Sequence, residues 1–198
     1  MWKAILSPDF FSTILRSATP ILFATLASAI AAKSGICNMA LEGIMLFSAL
    51  FGVIFSSLTH SAWLGLLITM VIGGLIGMIL AFFILNLKTD EILAAIAINL
   101  TATGGTVLIM VAFSGDRGVS SSIRSVSAPT VTLPLIEKIP FIGSVLSGQN
   151  VLTWLAILAV ILLHLFLYKT PLGLAIRAVG ENKNAAESVG IRSRKIKY

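Results

Sequence analysis

The sequence predicts an all-α, polytopic integral membrane protein with about five transmembrane helices. Of its 198 residues, 57% are hydrophobic and 11% are charged, whereas soluble domains carry roughly 25% charged residues. Apolar blocks of about 20 residues, the length that crosses a bilayer, alternate with short polar breaks. The one long polar run is the segment 169–198, which contains seven of the 14 Lys and Arg residues.

The five predicted transmembrane helices are apolar blocks separated by charged or turn-forming residues. In chain order they cover about 10–32, 39–57, 63–87, 92–113 and 151–168. Arg16 in the first block has a stem long enough to reach the polar interface, and Pro20 is expected to bend that helix. In the third block Gly73 and Gly77 stand four residues apart, which predicts a face for close helix packing.

Residues 114–150 form a stretch that is too broken to span a membrane. Gly, Ser and Pro are frequent in it, so we predict a long loop with a re-entrant or interfacial stretch. Lys and Arg favour the cytoplasmic ends of spans. With Lys33, Lys88 and the segment 169–198 inside, nine Lys and Arg are cytoplasmic and four are outside. The loop is therefore predicted to be extracytoplasmic and the segment 169–198 cytoplasmic.

The second block contains two polar side chains where charge is expensive. Asn38 and Glu42 share one helical face with Met45 and Ala49. An ionisable residue inside a membrane indicates function by default, so this face is a candidate lining of a translocation path. A structural alternative stays open: Asn38 caps the helix, and Glu42 is stabilised near its positive end.

Polar residues in the fourth block also lie at helical spacing. Asn99, Thr103 and Thr106 fall on one face. They either face a water-filled path or form interhelical hydrogen bonds. Asp90 and Glu91 open this helix, where capping and the helix dipole account for acidic side chains.

The segment 169–198 must lie in water and is predicted to contain a short helix over about 183–189. Asn182 or Asn184 can cap this helix, Glu187 is placed for a capping box with Asn184, and Gly190 is placed to end it. Docking of a soluble partner, binding of anionic lipid head groups, and simple connection of two spans are the uses open to such an element.

Several classes of function have no support in the sequence. There is no GxxxxGK[ST] loop for nucleotide hydrolysis and no His and Cys cluster with metal-ligand spacing. Neither a cofactor nor a metal site is predicted. The net charge of +6 is explained by cations at span ends, so nucleic acid is not an expected partner.

Three separated motifs resemble one family of membrane proteins. The stretch "SGICNMALEGIMLFSALFG" fits the pattern SGxxNxxxEGxMLxGAxxG of permease subunits of ABC importers, in the branch shared by ribose and branched-chain amino-acid systems, with Ser48 in place of the usual Gly. "TDEILAAIAINLTATGGT" is similar to the fourth-span region of that family, and "TPLGLAIRAVGENKNAAESVGI" is similar to its cytoplasmic coupling segment. The resemblance is closest to the nucleoside branch, whose partners are lipoproteins of the basic-membrane-protein type.

The resemblance implies that the short helix is a coupling helix that binds an ATPase subunit. We expect Ala185, Ala186 and Val189 to form its docking face, and Ala186→Trp to uncouple ATP hydrolysis from transport or to prevent ATPase binding. Lys183 stands where the family usually has Pro at the first helical position, so the helix is expected to start at Asn184. The predicted coupling residues are Gly180, Glu181, Asn182, Ala185, Ala186, Val189 and Gly190.

The resemblance also implies a setting in the bacterial cell membrane. The expected partners are ATPase subunits, which would carry the catalysis, a second permease subunit, an extracytoplasmic solute-binding lipoprotein and membrane lipid. Nucleosides are the expected solute, with sugars or branched-chain amino acids as alternatives. Family members continue beyond the position where this chain stops, so it is expected to be C-terminally truncated. A non-transporting membrane scaffold or fragment is the rival hypothesis.

Overall fold

A computed structural model of the chain describes residues 7–115, 123, 125–131 and 147–198. Five helices in this part are long and apolar enough to cross a membrane, which confirms the all-α membrane fold. They are α1 (Pro8–Lys33), α2 (Leu41–Thr59), α3 (Ala62–Leu85), α4 (Glu91–Ser114) and α5 (Val151–Lys169). Their ends lie within two residues of the sequence-derived spans.

Three shorter helices follow α5 in the polar C-terminal segment. They are α6 (Pro171–Glu181), α7 (Lys183–Ser188) and α8 (Ser193–Lys197). The sequence predicted only the middle one. The strands β1 (Thr130–Val131) and β2 (Gln149–Asn150) pair antiparallel, with Thr130 opposite Asn150 and Val131 opposite Gln149. The rest of the predicted loop 114–150, including any re-entrant stretch, lies largely outside the described residues.

The chain divides into two compact units, Met1–Ala27 with Ala128–Thr170 and Ser28–Ser127 with Pro171–Tyr198. In the first unit, α1 and α5 are joined by a buried contact between the hydroxyl oxygens of Thr19 and Thr153 at 3.0 Å. Gln149, whose side chain is also buried, donates from Nε2 to the Ser12 carbonyl (3.2 Å). Because few polar alternatives exist in a bilayer, such bonds between helices stabilise packing there.

The second unit is built on α2, α3 and α4. Its core cluster consists of small and aliphatic side chains, with Ala40, Ala94 and Ala95 allowing close approach around Leu80. The outward surfaces are apolar: Leu100 and Leu108 are each 70% exposed. In a membrane these outward surfaces contact lipid chains, so large apolar side chains are expected on them.

A small-residue seam joins α2 to α3. A Cβ atom built on Gly65 would lie 2.8 Å from the Ser56 Cβ and 2.9 Å from the Gly52 carbonyl oxygen, so the two backbones meet where a side chain does not fit. Across the same seam, the Thr69 hydroxyl contacts the Ser48 carbonyl (3.3 Å); within α3 it bonds to the Gly65 carbonyl (2.9 Å). The seam repeats every four residues and comprises Ser48, Gly52 and Ser56 on α2 and Gly65, Thr69 and Gly73 on α3.

The predicted packing pair Gly73 and Gly77 is split by the structure. A Cβ atom on Gly73 would lie 3.0 Å from the Ser48 Oγ, whereas one on Gly77 would meet no atom of the described residues within 4 Å. The physical reason is register: α2 contacts α3 along the row that contains Gly65, Thr69 and Gly73, and the crossing leaves that row before Gly77. Within the described part of the chain, Gly77 therefore does not pack as predicted.

Candidate functional site

The linker 34–40 between α1 and α2 positions the start of the candidate path. Gly35 has φ +78°, a left-handed conformation that glycine adopts without strain. Asn38 accepts the Ala40 N–H on its side-chain oxygen (3.1 Å). The N-cap position of α2 is Ala40, which supplies no side-chain cap. Asn38 thus closes the turn before the helix and is not its N-cap, which corrects the structural alternative for this residue.

Asn99 on α4 caps α2 from outside. Its Oδ1 accepts the Gly43 N–H (2.8 Å), one of the free donors in the first turn of α2, and its Nδ2 donates to the Met39 carbonyl (3.0 Å). Both ends of the amide are therefore bonded to backbone, one to the first turn of α2 and the other to the linker that precedes it. Of the two roles that the sequence left open for Asn99, these bonds match interhelical packing.

Glu42 lies in the first turn of α2 and its side chain is exposed. Met45 and Ala49, one and two turns further on, are exposed as well, whereas Gly43 and Ser48 are buried. The face that the sequence assigned to Glu42 therefore points away from the seam with α3. The Glu42 side chain therefore lies on the exposed side of α2.

A groove between α2 and α4 continues this face. Its volume is about 350 Å³. The hydroxyl groups of Thr103 and Thr106 donate to their own helix, at the Asn99 and Ala102 carbonyls (2.8 and 2.7 Å), which leaves the oxygen lone pairs as acceptors. The groove is lined by Leu46, Ala49, Leu50, Val53, Thr103, Thr106, Val107 and Met110. The structure thus brings the Glu42 face of α2 next to the Thr103 and Thr106 face of α4 at Ala49.

The helix pair α6–α7 forms most of the predicted coupling segment. Asn182 has extended backbone angles, and its Oδ1 accepts the Ala185 N–H (3.1 Å), as an N-cap does. The helix therefore starts at Lys183, and the expected shift of its start to Asn184 is wrong. The reason is local: because the Asn182 side chain accepts the free N–H of Ala185, the helix can begin at Lys183 without a proline.

Gly190 ends α7 as the sequence indicates. Its φ is +88°, its N–H donates to the Glu187 carbonyl (3.0 Å), and the Ile191 N–H donates to the Ala186 carbonyl (3.1 Å). These two bonds form a Schellman motif. The turn directs the chain into α8.

The exposed face of α7 differs from the face that the sequence predicted for docking. Ala186 is 3% exposed and faces the chain itself, because α7 packs against α6 and α8. Ala185, Glu181 and Val189 are exposed, and Val189 is exposed over 75% of its surface. A Trp at position 186 would disrupt packing within the segment. Ala186→Trp therefore cannot separate loss of docking from loss of the fold of α7.

Two side-chain hydrogen bonds hold α8. The Ser193 hydroxyl donates to the Glu187 carboxylate. The predicted capping box of Glu187 with Asn184 does not form, because Asn182 is the cap and Asn184 lies inside α7. The Arg194 guanidinium donates to Asn86, which follows the last residue of α3. The basic helix α8 is therefore fastened to the end of a membrane-length helix.

A backbone contact joins α6 to the linker 34–40. A Cβ atom on Gly180 would lie 3.0 Å from the Gly35 nitrogen and 2.9 Å from the Lys33 carbonyl carbon, and one on Gly35 would lie 3.1 Å from the Gly180 Cα. The sequence singled out Gly180 only as part of the coupling motif. The sequence contains both glycines, in "KSG" and "VGEN". Nothing in these two stretches predicts that they contact each other.

These features define a multi-pass membrane protein with a short capped helix presented outside its spans. Among the described residues, no group of three His, Cys, Asp or Glu side chains is placed to hold a metal ion. Over residues 10–198 the chain matches the family described as the branched-chain amino acid transport system permease component. The chain therefore belongs to this family of ABC transporter permeases, and it is a multi-pass protein of the cell membrane.

Three curated relatives are about 30% identical to the chain over the aligned residues. A protein of Haloferax volcanii named as a glucose ABC transporter permease, TsgC13, is 31% identical over 93% of this chain and 55% of its own length. The nucleoside ABC transporter permease NupC of Lactococcus lactis is 32% identical over 91% and 58%. The guanosine ABC transporter permease NupQ of Bacillus subtilis is 30% identical over 91% and 58%. The chain thus spans just over half the length of these relatives. No solved structure matches it at a significant level.

Proposed function

We propose that this chain is part of the permease subunit of an ABC importer for nucleosides. The observation that carries the proposal is similarity over nine-tenths of the chain to permeases, two of which are named for nucleosides or guanosine. A sugar importer is the second candidate, because one relative is named for glucose at the same level of identity.

The groove between α2 and α4 supports a nucleoside over a sugar. It is lined mostly by aliphatic side chains, and its two threonine hydroxyls already donate within α4. The flat face of a base can lie against such an apolar wall, and a sugar alone has no such face. The ribose hydroxyls of a nucleoside need hydrogen-bond partners as those of a sugar do. Glu42, exposed beside this groove, is a candidate acceptor for the polar part of the solute.

The segment 169–198 supports an ATPase partner on the cytoplasmic side. In this proposal α7 binds the ATPase subunit through Val189 and Ala185, which are exposed, with Asn182 and Gly190 holding the two ends of the helix. ATP hydrolysis then belongs to the partner. A second permease subunit and an extracytoplasmic lipoprotein complete the proposed importer.

Uptake of radiolabelled guanosine tests the solute assignment. The intact gene is deleted in cells that lack other nucleoside routes, and uptake of guanosine and of glucose is compared with that of the complemented strain. We expect guanosine uptake to be lost and glucose uptake to be unchanged. Loss of glucose uptake alone would establish the sugar alternative, and loss of neither would support the scaffold hypothesis.

A charge-neutral substitution tests docking against lipid binding. Val189→Gln removes an exposed apolar side chain, so it should weaken capture of the ATPase subunit without changing the attraction of the segment to anionic lipid. Neutralising Arg192, Lys195 and Lys197 should weaken the attraction of the segment to anionic lipid. It should leave capture of the ATPase subunit intact, because capture in this proposal depends on Val189. Arg194 is left unchanged because it is bonded to Asn86. The opposite pattern would show that the segment binds lipid only.

A further inference from the structure

The linker 34–40 contacts two other parts of its unit at once. On one side, Gly35 and Lys33 meet Gly180 at the end of α6 through backbone atoms alone. On the other side, the Cys37 N–H donates to the Glu91 carboxylate at the start of α4 (2.9 Å). The linker is therefore held between the segment that carries α7 and the first turn of a membrane-length helix.

The same linker leads directly into the candidate path. The Met39 carbonyl accepts from Asn99 Nδ2, and the Gly43 N–H donates to Asn99 Oδ1. Glu42 lies between these two bonded residues in the sequence. A shift of the linker relative to α4 would thus change the position of Glu42 beside the groove.

The contact between Gly35 and Gly180 leaves no flexible side chain to absorb a displacement. Packed backbone atoms transmit small shifts because the interior of a protein is hardly compressible. Gly180 lies two residues before Asn182, the cap of α7, so a movement of α7 on its partner acts within one turn of this contact.

We propose that Gly35 and Gly180 are positioning residues that pass the movement of α7 through the linker 34–40 to the start of α2. This inference rests on the proposed function, because it requires an ATPase subunit on α7. It goes further in assigning the relay within this subunit to one backbone contact and to the bond between Cys37 and Glu91.

The sole cysteine of the chain reports on this linker. Cys37 is exposed, so its rate of modification by a maleimide can be followed by mass spectrometry of this chain in the assembled transporter. In the native transporter we expect the rate to differ between the nucleotide-free state and the state trapped with ATP and vanadate. In Gly180→Ala we expect this difference to be lost while the ATPase subunit remains bound.

One glycine substitution serves as a matched control. Gly74→Ala adds a Cβ atom on a helix, as Gly180→Ala does, but this atom would meet no atom of the described residues within 4 Å. It should keep the nucleotide-dependent difference. Glu91→Ala adds no atoms and removes the acceptor for Cys37, so it should reduce the difference even if Gly180→Ala fails to fold.

The outcomes separate this inference from the function on which it rests. A native transporter that binds the ATPase but shows no nucleotide dependence at Cys37 would overturn the relay alone. So would Gly180→Ala or Glu91→Ala with an unchanged difference. Failure of the native chain to bind any ATPase subunit would overturn the proposed function, and the relay with it.

Discussion

Gly65→Ala is expected to destabilise the chain although it adds a single methyl group to a helix. In the native structure the Gly65 position lies against α2, where an added Cβ atom would come within 2.8 Å of the Ser56 Cβ and 2.9 Å of the Gly52 carbonyl oxygen. Both neighbours belong to the facing helix and neither is the end of a flexible side chain. The helices must move apart.

The size of the effect follows from the required movement. Carbon atoms in contact lie about 3.5–4.0 Å apart, so α2 and α3 must separate locally by roughly 0.7 Å. Overpacking of this kind costs about 1–3 kcal/mol. Alanine is favoured over glycine inside a helix by about 1 kcal/mol, which offsets part of that cost. Gly74→Ala on the same helix receives the propensity gain without the clash, because its Cβ atom would meet nothing within 4 Å among the described residues.

The comparison of the two alanine variants removes helix propensity from the result. Thermal unfolding of the purified chain in detergent should show Gly65→Ala below the native protein and Gly74→Ala at or above it. For a chain of this size a difference of 1 kcal/mol corresponds to about 2–4 °C in Tm. Equal Tm values for the two variants would show that α2 and α3 are not packed closely at Gly65, and would contradict this prediction.

Three further predictions concern polar side chains. Asn99→Leu should lower stability by about 1–2 kcal/mol, because its hydrogen bonds to α2 and to the preceding linker are lost. Thermal unfolding measures this, and Thr101→Val, whose hydroxyl bonds within α4 among the described residues, should have little effect. Ser48→Ala should raise stability by about 1 kcal/mol, because the buried Ser48 hydroxyl has no hydrogen-bond partner in the described part of the chain; an unchanged or lower Tm would contradict this. Glu42→Gln should reduce guanosine uptake at an unchanged protein level, whereas loss of assembly would indicate a structural role.

The sequence motifs located the residues of the candidate site better than their roles. Local signals were sufficient for the cap of α4, because Asp90 accepts from the N–H groups two and three residues ahead. They left the cap of α7 open between Asn182 and Asn184, and the structure has Asn182, which accepts from the N–H three residues ahead. Glu91 lies beside Asp90 but bonds to Cys37 instead. Helical spacing placed Asn99 on a face with Thr103, yet spacing does not tell which helix lies opposite, and that neighbour decided the role of Asn99.

By itself, the sequence determined the five membrane-length helices, the end of α7 at Gly190, and the permease family. Each depends on interactions between near neighbours or on the thickness of the bilayer, which sets the length of an apolar block. Only the tertiary structure decided that Ala186 is buried while Val189 is exposed, that Gly65 and not Gly77 joins Gly73 in the seam, and that Gly35 meets Gly180. These contacts join residues on different helices, and they depend on how the helices cross, a geometry that no local pattern of residues specifies.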